Sequence, residues 1–127
     1  MGGPPLFFCQ SFGSCTRFFC YRKDAGDMEH STEILYNRTA VYCSAEHRFG
    51  SDALLLSRFC APKRAEAAVD LCSGCGIVAL AWHDAGHRGP CAAVELQPPA
   101  SALLQAAVAD QDIRHIQPVC ADLRTFA

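Results

Sequence analysis

Apolar positions along this chain fall into short runs whose period changes in a regular order. The run ending at Asp70 gives way to small residues, Cys72, Ser73, Gly74, Cys75 and Gly76, and then to a second apolar run, which predicts strand, tight turn and helix. That helix is expected from about Cys75 to Asp84, with Gly86 and Gly89 beyond its end. CAAVEL, residues 91–96, predicts a second strand ending in Glu95. Pro98 and Pro99 suit a helix start, and ASALLQAAVAD sets Leu103, Leu104, Ala107 and Val108 on one side. IRHIQPVCADL predicts a third short strand that ends at Asp122. Upstream, ILYNRTAVY carries β-branched and aromatic residues around Asn37 and Arg38, the pattern of a hairpin or of two extended pieces. In the segment EHRFGSDALLLSRFCAP, Gly50 ends the extended part, Ser51 is expected to cap a helix and Asp52 suits its first turn. Leu54, Leu55, Leu56 and Phe59 form the expected apolar face, and Pro62 closes the helix.

Three strands alternating with two helices, behind a capped helix, predict an α/β, Rossmann-like architecture. Right-handed crossovers make it the N-terminal half of an open, doubly wound sheet. Ligands of such sheets bind beyond the carboxyl ends of the strands, where Asp70, Glu95 and Asp122 all fall. Residues 1–27, with Gly-Gly-Pro-Pro and two Phe-Phe pairs, hold neither period for long. They are expected to be a leader outside the fold, disordered or non-native, with Met28 as the natural start and one domain over residues 28–127.

Composition narrows the picture. Half of the 127 residues are apolar, enough for one domain with a core, and the net charge of −2 does not suggest a nucleic-acid coat. Most Lys and Arg precede Ala65, so an anionic partner would meet the front half, although Arg38, Arg48, Arg58, Lys63 and Arg64 also read as a solvated face. No run approaches the roughly 20 apolar residues of a membrane span, and the start lacks the early positive charge of a signal peptide. The nine cysteines are scattered, and Cys60, Cys72, Cys91 and Cys120 sit in apolar runs, as expected of buried free thiols in a reducing cytoplasm. Cys72 and Cys75 have C-x-x-C spacing, but Cys9, Cys15 and Cys20 supply no second pair, so no metal site is expected. A thioredoxin-like redox turn at this spacing stays open. His83, His87 and Arg88 lie where positive charge complements a helix end.

Glycines at Gly74 and Gly76 let backbone approach a ligand closely, and an acid about twenty residues later is placed to take both hydroxyls of a ribose. A nucleoside-containing cofactor follows. An NAD-dependent oxidoreductase shares this logic, but its G-x-G-x-x-G lacks the third glycine here, with Leu80 and its neighbours in that place. A non-catalytic Rossmann-like interaction module is a further alternative.

Taken together, RFGSDALLLSRF, VDLCSGCGIVAL, AAVELQ and VCADL resemble the class I S-adenosylmethionine-dependent methyltransferases over roughly residues 34–126. Within them the pattern is similar to the bacterial tRNA adenine-N6 methyltransferases. The resemblance implies S-adenosylmethionine as cofactor and an adenine amine in tRNA as acceptor. It implies that Asp70, Leu71, Ser73, Gly74 and Gly76 hold the methionine part, and that Glu95 holds the ribose with Leu96 beside the adenine. Asp122 is implied at the adenine amine next to Ala121, and Phe49, Gly50 and Asp52 at the approach to the site. Cys72 replaces the first glycine of the family's D-x-G-x-G-x-G. The family's Asn-Pro-Pro-Tyr segment follows a fourth strand, so the chain is expected to be the donor-binding part of an enzyme, with no catalytic residue of its own and inactive alone.

Overall fold

The computed structural model describes residues 30–125; the expectations for residues 1–27 and for Met28 lie outside them. A hairpin of β1 (Ser31–Ile34) and β2 (Ala40–Cys43) leads into α1 (Ser51–Phe59). Then follow β3 (Ala68–Leu71), α2 (Ile77–Asp84), β4 (Cys91–Glu95), α3 (Pro98–Asp110) and β5 (Ile116–Cys120). Strands β3, β4 and β5 pair in parallel in that order, with Asp70 opposite Ala93 and Glu95 opposite Cys120. The predicted βαβαβ unit is therefore present, and the hairpin forms a separate antiparallel pair.

Burial explains the helix sequences. IVALAWHD is apolar almost all round, and Ile77, Val78, Ala79, Leu80 and Trp82 are all buried. Such a helix must be enclosed. Helices α2 and α3 share one core with Cys91, Ala93 and Ile116 of the sheet, and with Val41 and Cys43 of β2. The other face of the sheet carries a small separate cluster of Ala92, Val94, Val119 and Ala121, beside exposed Val69 and Leu71.

The hairpin grips the far ends of both buried helices. Asp84, at the end of α2, accepts from the Asn37 and Thr39 backbone N–H groups, and Asn37 Nδ2 donates to the Asp84 carbonyl at 2.7 Å. Just past α3, Gln111 Oε1 accepts from Ala40 N at 2.6 Å while its Nε2 donates to the carbonyls of Ala40 and Ala107. The Tyr42 hydroxyl donates to Asp110 at 2.6 Å.

Helix α1 departs from expectation. Gly50, not Ser51, is its N-cap, and no side chain caps it. Of the expected apolar face only Leu54 packs against the core. Leu55, Leu56 and Phe59 are exposed, and the buried residue is Ser57, whose carbonyl accepts from Trp82 Nε1 at 3.0 Å. The buried indole needs an acceptor, and this fixes which face of α1 turns inward. The cysteines also divide. Cys43, Cys75 and Cys91 are buried, whereas Cys60 and Cys72 are exposed and Cys120 is half-buried, so the expectation of buried thiols fails at Cys60 and Cys72. A four-residue strand and a nine-residue helix leave positions just past their ends outside the core.

Candidate functional site

The carboxyl ends of the three parallel strands meet at one rim. Asp70 is buried, and its Oδ2 accepts from Ala79 N at 3.3 Å. Ala79 lies in the first turn of α2, which has no side-chain cap at Gly76, so a strand carboxylate meets the positive end of the helix. Burial pushes the Asp70 carboxyl up from 3.8 to about 6. The Ala79 N–H opposes this shift, and the charge of Glu95 adds to it.

The turn between β3 and α2 uses the left-handed region three times, at Cys72 (φ 56°), Gly74 (φ 57°) and Gly76 (φ 87°). Gly76 is also sterically required, since a Cβ there would run into the Leu104 side chain. Gly74 faces open space. Ser73 N donates to Val94 O at 2.9 Å, carrying the β3–β4 ladder past the strand end. The Ser73 hydroxyl is buried and, among the described residues, has no hydrogen-bond partner.

Glu95 ties the rim together. Its Oε1 accepts from Gly74 N at 2.9 Å and its Oε2 from Gln97 N at 2.8 Å, so one side chain bridges the loops after β3 and β4. Ala121 N donates to Glu95 O at 3.0 Å, and Cys120 Sγ donates to Leu96 O at 3.7 Å, which brings the end of β5 alongside. Leu71 and Leu96 are exposed at this edge.

Other expected residues are less closely joined. Asp122 turns onto Arg124, with an oxygen 2.6 Å from Nη2, and this cation holds its carboxyl below the usual range. Phe49 is half-buried against the core. Asp52 folds back over Gly50 and makes no hydrogen bond or ion pair among the described residues. The C-terminal half of α1 meets the C-terminal half of α2 through Ser57 and Trp82, and the start of α1 follows β2 by a short connection.

Sequence reasoning missed the contact between the Cys43 and Cys75 thiols, a pair from β2 and the turn. Burial pushes Cys75 up to about 12, with Cys43 adding to the shift. The two cysteines of the C-x-x-C spacing thus sit in different surroundings, Cys72 in solvent and Cys75 in the core. Expected positive charge at the end of α2 comes from Arg88, whose Nη1 donates to the carbonyls of His83 and His87, both at 2.7 Å. His83 is neutral instead, its pKa pushed down to about 4 by burial and by the Arg88 charge. Among the described residues no group of three or more His, Cys, Asp or Glu could hold a metal, and no helix is long and apolar enough to cross a membrane.

Parallel strands joined by helical crossovers, with acids at or just past their carboxyl ends, form a Rossmann-like α/β fold. Among solved structures, the fold is similar to that of the M. jannaschii tRNA m1G37 methyltransferase, with a TM-score of 0.60 and 18% identity over 80% of this chain and 33% of that one. It is also similar to the YcgJ protein of Bacillus subtilis, with a TM-score of 0.51 and 12% identity over 60% of this chain and 32% of that one. The chain thus spans about a third of the length of either structure. No family model matches the sequence, and no curated protein matches it.

Proposed function

We propose that the chain is the S-adenosylmethionine-binding portion of a methyltransferase that, when complete, acts on an adenine amine in tRNA. The observation that carries the reading is the Glu95 bridge, which draws the glycine turn and two strand ends into one rim. Three further features fit this cofactor. Among the described residues the Ser73 hydroxyl lacks a partner and the space over Gly74 is open, and Asp70 is a buried carboxylate whose ionised form a cationic ligand would stabilise.

When bound, the cofactor supplies an electrophilic methyl group on a sulfonium. Asp70, Ser73, Gly74 and Gly76 would hold its amino-acid end, and Glu95 its ribose through the lone pairs its two backbone bonds leave free. Exposed Leu71 and Leu96 offer apolar surface for a flat base, with Ala121 and Asp122 at its edge and Phe49, Gly50 and Asp52 on the approach. The chain's contribution is orientation, which suits in-line transfer to an amine. The acceptor is read from the sequence resemblance, and the tRNA named for one structural neighbour agrees with its class.

Calorimetric titration with S-adenosylhomocysteine tests the donor assignment. Glu95→Ala is expected to weaken binding at least about tenfold, or roughly 1.4 kcal/mol. Equal affinity in the two proteins would remove the assignment. A thermal shift with NAD but not S-adenosylmethionine would favour the oxidoreductase reading.

A further inference from the structure

The rim leaves unexplained a cavity of about 810 Å³ at the opposite end of α2, between the hairpin tip, the C-terminal part of α1 and the last turn of α2. Its volume lies in the range of small-molecule sites. Two cations line it, Arg58 on α1 and Arg64 in the connection to β3, and both are exposed. Neither side chain has an ion pair or hydrogen bond among the described residues. The Arg64 backbone is nonetheless fixed, because its carbonyl accepts from Arg88 N at 2.7 Å and Gly89 N at 2.9 Å. The lining carboxylate, Asp84, is occupied by the hairpin backbone. The His87 Nε2–H donates to Glu66 O at 2.7 Å, while among the described residues its buried Nδ1 has no hydrogen-bond partner. Two arginines against one carboxylate leave the cavity lining with a net positive charge.

The lining also carries apolar and aromatic side chains. Trp82, largely buried, is held by its bond to Ser57 O, Pro62 shares the lining, and Tyr36 is 96% exposed. Folding gains nothing from a tyrosine left in water, and a planar group stacked on it would recover that surface. Arginine pairs suit phosphate because their donors form a planar fork.

We propose that this cavity binds a nucleoside monophosphate unit, with the phosphate between Arg58 and Arg64 and the base against Tyr36 and the Trp82 wall. A free nucleotide and one residue of a single-stranded RNA share this chemistry. The proposal does not use the rim.

Trp82 is the only tryptophan in the chain, so its fluorescence reports on the cavity. The full chain is titrated with AMP, inorganic phosphate and a short oligouridylate. Saturable change with AMP is expected, at least about tenfold tighter than with phosphate, which lacks the ring. The double variant Arg58→Ala, Arg64→Ala should weaken AMP about tenfold or more at an unchanged melting temperature, and Tyr36→Ala should weaken AMP more than phosphate. Tighter binding of oligouridylate than of AMP assigns the site to an RNA strand, and the reverse assigns it to the free nucleotide. No saturation with AMP or oligouridylate up to about 5 mM overturns the proposal. So does a response that survives the double arginine variant but disappears in Glu95→Ala, because AMP would then be reporting the rim.

Discussion

At its N-terminal end α2 is met by a buried carboxylate from β3 and a turn with three left-handed residues, and the Ser73 hydroxyl there has no partner among the described residues. At its C-terminal end Arg88 covers two carbonyls, and Asp84 is fully engaged by the hairpin. One end of the helix holds a buried carboxylate and three left-handed residues, while at the other the hairpin and Arg88 take up the polar groups, with only His87 Nδ1 left unpartnered among the described residues. Unfavourable features persist in folds where surrounding structure holds them, and they gather where ligands bind. The contrast therefore favours the glycine end as the place for a cofactor, and makes the stability of the two ends respond differently to mutation and to pH.

The largest effect is expected at Gly76. Gly76→Ala must place a Cβ against Leu104, which is itself fully buried, in a left-handed conformation. A loss of roughly 2–4 kcal/mol in urea unfolding is expected. A loss below about 0.5 kcal/mol would show that α2 and α3 are not packed this closely.

Asp70→Asn should follow at roughly 1–3 kcal/mol, with the opposite sign at pH 8. The raised pKa means that the folded state holds a proton the unfolded chain has released between about pH 4 and 6. Stability from this group is full below pH 4 and is lost as pH rises through 6. The amide keeps an acceptor for Ala79 N and removes the buried charge, so the gain should appear above pH 6 and vanish near pH 4. His83 and His115 run the other way. Burial lowers both, so their contribution is complete above pH 6.5 and falls away as pH drops below it, for His83 down through about 4. Thermal melts of Asp70→Asn across pH 4 to 8 should expose that acid-side decline without the opposing carboxylate.

Cys72→Gly sharpens the comparison at about 1 kcal/mol. A left-handed cysteine carries a steric cost of about 1–2 kcal/mol, which glycine removes at some loss of chain entropy. A melt shifted upward by several degrees is expected. An unchanged or lower melt would mean that the thiol compensates through contacts of its own.

Much of the fold was legible because its signals are local. Short apolar runs ending in acids marked β3, β4 and β5, and Leu103, Leu104, Ala107 and Val108 took the buried side of α3 as their spacing predicts. The glycine turn was legible for the same reason, since its small residues are contiguous. What escaped is set by contacts between distant segments. Leu54, Leu55, Leu56 and Phe59 are equally apolar, and only the need of Trp82 for an acceptor decides that Ser57 turns inward. Asp70 was legible as a strand-ending acid, but its bond to α2 depends on the turn bringing helix and strand together. The arginine cavity draws on three segments of the chain, and no spacing in the sequence announces it.

The ladder bonds that continue past the strand ends, Ser73 N to Val94 O and Ala121 N to Glu95 O, have a kinetic meaning. Both residues keep the register of the sheet after the strands have finished, so the conformational freedom of the rim is lost when the chain folds and not when a guest arrives. A visitor meets an edge already in shape, and its residence time is governed by how readily it departs.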